Sequence, residues 1–281
     1  MENFLDAESS SDESDEIDDT GGDDMFKDAL RWSDKIRKVT EHPFTGPDPG
    51  LKRRLSETST PLDYFFEMFP ETMLELIQKS TQAYVPIYQA NKRKKDPNWT
   101  DKLYKPITVE MIRAYLGFRM IMAVDPKSSL SDYWSTNPSL RNERIVSIMS
   151  RDRFVNIQRY FHINDPLRDP VRLSGEEAES KRKKDPLYKV SPLMEGVREN
   201  SKRLYNLHQQ ISIDEAMVKC HGQHWGIVGA PNKPAKRGFK IFVLADAVTG
   251  YMSDFMVYLR KQKQVGLTQT IVETLVEPVV D

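Results

Sequence analysis

Apolar residues recur every three or four positions over residues 61–207, which is typical of amphipathic helices. The clearest helix has Thr108 as its N-cap. It should end before Asp125, because a residue that precedes proline avoids the helical backbone conformation. Two more helices are predicted, one after Ser150 as its cap and one opening at Ser191 with proline next to it. The pattern therefore predicts a helical region over 61–207.

The period of the pattern changes to two after this region. Residues 211–214 alternate apolar with polar positions, as a strand does. Residues 238–245 are apolar throughout, which indicates a strand covered on both faces. A turn then leads into a second strand over 251–259, so that the two form a hairpin. A helix is predicted over 267–280. Together these elements indicate that the segment 208–281 forms part of a sheet covered by helices.

The N-terminal 1–55 segment has few apolar positions and no sustained period, so it is predicted to be disordered. Its first 24 residues contain 11 Asp and Glu and no Lys or Arg. The remainder holds 41 basic and 31 acidic residues, a net charge of +10. An acidic tail before a basic body is typical of a nucleic-acid-binding protein, although a merely solubilising arm explains the tail equally well.

Two basic runs, Lys92–Lys95 and Lys181–Lys184, are interpreted as exposed loops. In a DNA-binding protein such runs serve as phosphate contacts or as nuclear import signals. Solvated charge without a partner is an equally good interpretation. Neighbouring Trp99 is expected to be a packing residue rather than a base-stacking one.

The composition excludes several classes of protein. The 12 Phe, 11 Tyr and 4 Trp are enough to build a core, although only 38% of residues are hydrophobic. No apolar run reaches the roughly 18–20 residues that cross a bilayer, so no membrane partner is expected. A single cysteine, Cys220, cannot form an internal disulfide. We therefore expect a reduced, intracellular protein whose metal ligands, if any, are oxygen atoms or His.

The candidate chemistry lies on the strand that contains Asp214 and in the segment that follows it. A carboxylate on a buried strand is costly to keep charged unless a cation holds it. Lys233, Lys236 and Arg237 could bind phosphates nearby, and the combination suits metal-assisted phosphodiester chemistry. A structural acid paired with one of these lysines is the more common arrangement. The cluster of Cys220 and two nearby histidines lacks a fourth ligand, so a zinc site is not favoured.

Several separated segments resemble the piggyBac transposase family and its domesticated derivatives. They occur in the family's order and cover residues 61–281. The segments are PLDYFFEMFP (Pro61–Pro70), LSDYWSTNP (Leu130–Pro138), MSRDRFVNIQRYFHINDP (Met149–Pro166), SIDEAMV (Ser212–Val218) and NKPAKRGFKIFVLADAVTGY (Asn232–Tyr251).

The resemblance implies an α+β fold. A helical dimerisation and DNA-binding region, here 61–207, would lead into the N-terminal part of an RNase H-like α/β domain, here 208–281. Family members hold two Mg²⁺ ions with three Asp residues, and Asp214 matches the first of the three. The resemblance also implies DNA as a partner, a homodimer and a nuclear location. Protein partners of the acidic 1–55 tail are a further expectation.

The sequence departs from the family pattern where the other two metal ligands belong. The second Asp lies in an Asp-Asn-Phe-Phe type motif after the helix over 267–280, and no such motif occurs within the 281 residues. Asp281 does not match it, and the third Asp and the Cys-rich module are absent as well. One carboxylate cannot hold two bridged metal ions.

We therefore expect a transposase-derived DNA-binding protein that is inactive as this chain. Two alternatives stay open, an interaction protein whose acidic tail recruits partners and a fragment of an active Mg²⁺-dependent transposase. The predicted DNA contacts are Arg151, Arg153, Lys233, Lys236 and Arg237.

Overall fold

The fold consists of a helical part followed by a small antiparallel sheet with one more helix. A computed structural model describes residues 43–53, 55–170, 185–222, 224–259 and 267–280. In chain order its elements are β1 (Gly50–Leu51), α1 (Pro61–Met68), α2 (Glu71–Lys95), α3 (Val109–Val124), a 3₁₀ helix (Leu130–Trp134), α4 (Glu143–Ile148), α5 (Arg151–Tyr160), α6 (Ser191–Leu204), β2 (Tyr205–Asn206), β3 (Ile211–Lys219), β4 (Val228–Gly229), β5 (Arg237–Asp246), β6 (Met252–Val257) and α7 (Leu267–Val280).

Side-chain caps and prolines set the helix ends where the sequence predicts them. The Thr108 hydroxyl accepts the backbone N–H of Met111 at the start of α3. That helix ends at Val124, directly before the Asp125-Pro126 pair. The Ser150 hydroxyl accepts the backbone N–H of Arg153 in the same way at the start of α5. These predictions are confirmed, because each depends on a local bond or a local steric clash.

The prediction of a loop over Lys92–Lys95 is wrong, since these residues form the last turn of α2. Lys and Arg are good helix formers. Near a helix C-terminus they also offset the negative end of the helix dipole. The charges are exposed as expected, but a helix holds them. The run over 181–184 lies outside the described residues.

The core of the helical part is formed by α2, α3 and α5. These helices contact one another through side chains that are almost fully buried. None of the helices in the described part of the chain is long and apolar enough to cross a membrane. Tilted and stacked aromatic pairs join α3 to α5, with the rings of Tyr115 and Phe154 5.0 Å apart and those of Phe118 and Phe154 6.0 Å apart. The most deeply buried core residues are Leu74, Ile77, Ile107, Ile112, Phe118, Ile145, Phe154, Ile157 and Tyr160.

The sheet is built around β5. Strand β3 pairs with β5 in an antiparallel register that runs from Ile211 opposite Asp246 to Lys219 opposite Gly238. Strands β4 and β6 both pair with β5 as well. The hairpin of β5 and β6 confirms the prediction, whereas β3 extends beyond 211–214 to Lys219.

Helix α7 covers one face of this sheet. Its Ile271 and Leu275 are buried against Leu207 and Leu244. On the opposite face, Val218 is 51% exposed, and β5 residues there are half-buried. The prediction of full coverage on both faces of β5 is therefore not met within the described residues.

A sheet of two strands, each two residues long, connects the segment before α1 to the end of α6. Gly50 pairs with Asn206 and Leu51 pairs with Tyr205. Gly50 has a φ of 120°, a conformation that side-chain-bearing residues rarely adopt. These strand residues lie within the 1–55 segment that the sequence predicts to be disordered, so that prediction is corrected at Gly50–Leu51. Residues 1–42 lie outside the described part of the chain.

A buried carboxylate joins α6 to β6. The Asp254 side chain is 1% exposed. Its Oδ1 lies 2.5 Å from Arg198 Nε, and its Oδ2 lies 2.6 Å from Lys202 Nζ. Burial acts to raise the pKa of Asp254, but hydrogen bonds from Arg198 and Lys202 outweigh it and hold the pKa below its usual value. The helical part and the sheet thus share an ion cluster whose carboxylate is buried and whose two cations are partly exposed.

Replacing Asp254 with Ala should destabilise the fold by about 2–3 kcal/mol, because a buried acceptor of charged hydrogen bonds is removed. Urea unfolding followed by circular dichroism would measure the change. Glu75→Ala is the control, since it removes the exposed ion pair of Glu75 with Lys79 and should cost at most about 0.5 kcal/mol. Equal costs for the two variants would contradict this account.

Candidate functional site

Asp214 lies in the middle of β3, opposite Val243 of β5. Its side chain is exposed, and its Oδ1 accepts the backbone N–H of Glu215. The expectation that the strand buries this carboxylate is therefore wrong. Because strand residues alternate between faces, Glu215 points to the other side of the sheet, where its Oε1 lies 2.5 Å from Lys240 Nζ. Glu215, rather than Asp214, forms the carboxylate–lysine pair.

The donor set around Asp214 does not by itself fit a pair of divalent ions. Among the described residues no group of three or more His, Cys, Asp or Glu side chains is placed to hold a metal ion. Two bridged Mg²⁺ ions need several carboxylate oxygens in addition to water. Asp214 supplies one exposed carboxylate towards such a site, and no catalytic step can be assigned to it alone.

A loop of basic residues connects β4 to β5. The backbone N–H of Ala230 donates to the carbonyl oxygen of Lys236 across its base, at 2.9 Å. Lys233, Lys236 and Arg237 are all exposed. One Arg237 nitrogen, Nη1, donates to the Gly222 carbonyl oxygen at 3.1 Å, so this side chain also contacts the backbone that follows β3. We call Lys233, Lys236 and Arg237 the basic loop.

The structure does not bring Asp214 and the basic loop together. Asp214 is opposite Val243, whereas Arg237 begins β5. Six residues of extended strand separate the two positions, a distance of about 20 Å. The carboxylate and the three cations therefore belong to two separate sites along the sheet.

Arg151 and Arg153, both predicted to contact DNA, differ sharply in their surroundings. Arg151 is exposed in the first turn of α5. Arg153 is half-buried, and its two terminal nitrogens donate to the carbonyl oxygens of Lys105 and Pro106 at 2.8 and 2.6 Å. Burial lowers the pKa of Arg153. Its guanidinium thus fixes the segment before α3, and DNA binding by Arg153 stays a prediction that this geometry does not favour.

Two further groups with strong interactions were missed by sequence reasoning. Asp246 is buried at the end of β5 and accepts the backbone N–H and the ring Nδ1 of His208. Burial acts to raise the pKa of Asp246, but the hydrogen bonds from His208 and Thr249 outweigh it and lower the pKa strongly. The signal for this group in the sequence was the position of Asp246 at the start of a predicted turn. The second group is formed by Asp101, near Trp99, and the side chains of Arg159 and Tyr160 that donate to it. Its signal in the sequence was an aromatic residue, Trp99, shortly after the basic run Lys92–Lys95.

Comparisons with known proteins show to which class of proteins this chain belongs. The family model described as transposase IS4 matches residues 60–281, which is most of the chain. The class is therefore that of transposases. The human PiggyBac transposable element-derived protein 5 is 23% identical over 221 residues, covering 75% of this chain and 37% of that protein.

A solved structure is similar as well. It is the cryo-EM structure of a piggyBac transposase synaptic complex with hairpin DNA, matched with a TM-score of 0.69 and 26% sequence identity. The match covers 83% of this chain and 46% of that one. The chain belongs to the piggyBac-type transposase family, and it spans less than half the length of these relatives.

Replacing Arg153 with Ala should destabilise the protein by about 2–3 kcal/mol, because it removes two charged hydrogen bonds to the backbone before α3. Arg151→Ala, two residues earlier on the same helix, is the matched control. It should change the free energy of unfolding by less than about 0.5 kcal/mol, because its side chain is exposed. Denaturant unfolding measures both, and a larger effect of Arg151→Ala would contradict the assignment.

Proposed function

We propose that this chain binds DNA as the helical region and partial catalytic domain of a piggyBac-type transposase-derived protein. The observation that carries the proposal is its likeness, over 83% of its length, to a transposase whose structure contains hairpin DNA. Residues 61–207 would form the dimerisation and DNA-binding region. Residues 208–281 would form the N-terminal part of an RNase H-like domain. The nucleus is the location that this function requires.

The distribution of charge supports DNA as the partner. Outside the first 24 residues the chain has 41 basic and 31 acidic residues. Arg151, Lys233 and Lys236 are exposed and form no ion pair with the described residues. Exposed cations of this kind bind the phosphate backbone whatever its sequence, and their binding releases counterions. We therefore assign weak, sequence-independent affinity to Arg151 and the basic loop.

Replacing Lys233, Lys236 and Arg237 together with Ala should weaken binding to all duplex sequences alike. The slope of log K against log salt should decrease by about 0.9 for each phosphate that the basic loop no longer neutralises. Fluorescence anisotropy with labelled duplexes over a salt series measures both quantities.

The control replaces Lys52, Arg119 and Arg144 with Ala. These exposed residues lie outside the basic loop, and the net charge changes by the same amount. The control should leave the slope closer to that of the wild type. A slope near zero for the wild-type protein would refute DNA binding and would favour the interaction-protein hypothesis.

Deleting residues 1–24 should strengthen binding to duplex DNA and steepen its salt dependence. Eleven carboxylates are removed, and these compete with phosphates for the same cations. The same salt series measures the change. A variant that keeps the segment but replaces its Asp and Glu with Asn and Gln should reproduce the deletion. Unchanged affinity in both would mean that the tail does not approach the basic surface.

For catalysis we propose that Asp214 is one of three carboxylates of a two-metal Mg²⁺ site. Such ions, when bound, activate a water or a 3′-hydroxyl and stabilise the leaving oxygen. The 281-residue polypeptide should not nick or join plasmid DNA with Mg²⁺ or Mn²⁺, because no group of three possible metal ligands occurs among its described residues. A gel assay with Asp214→Asn as the control tests this. Metal-dependent nicking that Asp214→Asn abolishes would show that the remaining ligands are present after all.

A further inference from the structure

An open cavity of about 320 Å³ lies where the last turns of α2 approach the 99–103 loop. Its volume is at the lower end of the roughly 300–1,000 Å³ found for small-ligand sites. The rings of Tyr88 and Trp99 both line it, 6.1 Å apart and inclined at 65°. Both side chains are half-buried, so each keeps part of its ring accessible. One wall of the cavity is therefore aromatic.

At the buried end of the cavity a carboxylate is paired with a guanidinium group. The Asp101 side chain is 3% exposed, and its Oδ2 accepts from Arg159 Nη1 at 2.8 Å and from the Tyr160 hydroxyl at 2.5 Å. Burial acts to raise the pKa of Asp101, but these hydrogen bonds outweigh it and lower the pKa. Burial and the same hydrogen bond raise the pKa of Tyr160 to about 12. Asp101 and Arg159 thus neutralise each other.

The rim of the cavity is positively charged. Lys92 and Lys102 line it, are exposed, and form no ion pair within the described part of the chain. Lys92 Nζ lies 5.5 Å from the centre of the Tyr88 ring. Three more cations, Arg93, Lys94 and Lys95, complete the same helical turn. These charges outweigh the partial negative charge of the α2 C-terminus.

We propose that this cavity binds an unpaired nucleotide of a DNA strand, with the base against Trp99 and the phosphates at Lys92 and Lys102. Aromatic walls with basic rims are the arrangement that holds single-stranded nucleic acid. An acidic peptide would use the lysines but would leave the aromatic wall without a role. A base inside an intact duplex is stacked and cannot reach Trp99. The proposal rests on the proposed DNA-binding function and adds to it a preference for unpaired DNA.

The test uses the full chain and two labelled probes, a short oligo-dT strand and a duplex of the same length. Trp99→Leu should weaken binding of oligo-dT about tenfold, which is within the range measured for removal of one stacking side chain. Binding of the duplex should not change. Trp99→Phe should restore most of the affinity for oligo-dT, because it keeps a stacking surface. Thermal melting of each variant verifies folding, and Trp99→Phe keeps the test valid if Trp99→Leu unfolds.

Tyr64→Leu is the matched control, since it removes a 41% exposed aromatic ring that lies on α1, outside the cavity. It should change neither affinity. Equal weakening of both probes by Trp99→Leu, or no weakening of either, would overturn the cavity proposal. So would a polyglutamate peptide whose binding depends on Trp99 as strongly as that of oligo-dT. If the wild-type protein shows no salt-dependent duplex binding, the proposed function itself fails, and that result is distinct from the absence of a Trp99 effect.

Discussion

The antiparallel pairing of β3 with β5 decides where the candidate functional groups of the sheet lie. Its register places Asp214 opposite Val243 and Lys219 opposite Gly238. Strand alternation then puts Asp214 and Glu215 on opposite faces. A shift of β3 by one residue would exchange the two carboxylates and turn Ile211 and Ile213 away from the buried cluster that they pack against, so the packed face strongly opposes any slip. The position of the candidate catalytic carboxylate is therefore fixed by hydrophobic packing on the other face.

The same pairing separates the two kinds of chemistry that the sequence brings close. Arg237 of the basic loop begins β5, and Asp214 lies about 20 Å from that position along the paired strand. If DNA occupies both sites, the phosphates at the basic loop are not those next to Asp214. The basic loop then serves affinity, and Asp214 serves a site that needs additional carboxylates.

Burial separates cations that look equivalent in the sequence. Arg151 and Arg153 are two residues apart, yet the first is exposed and the second donates to the carbonyl oxygens before α3. Arg198 and Lys202 are likewise occupied by Asp254 between α6 and β6. Only some of the basic residues are thus available to a phosphate, and net charge overstates the binding surface.

Local patterns in the sequence determined the helix caps at Thr108 and Ser150, the hairpin of β5 and β6 and the family, since each depends on neighbouring residues or on motif order. The sequence failed where the outcome depends on distant partners. The exposure of Asp214, the structural role of Arg153 and the cavity at Trp99 were decided by the tertiary structure. The physical reason is that burial and ion pairing are set by contacts between residues far apart in the chain, which spacing along one segment does not encode.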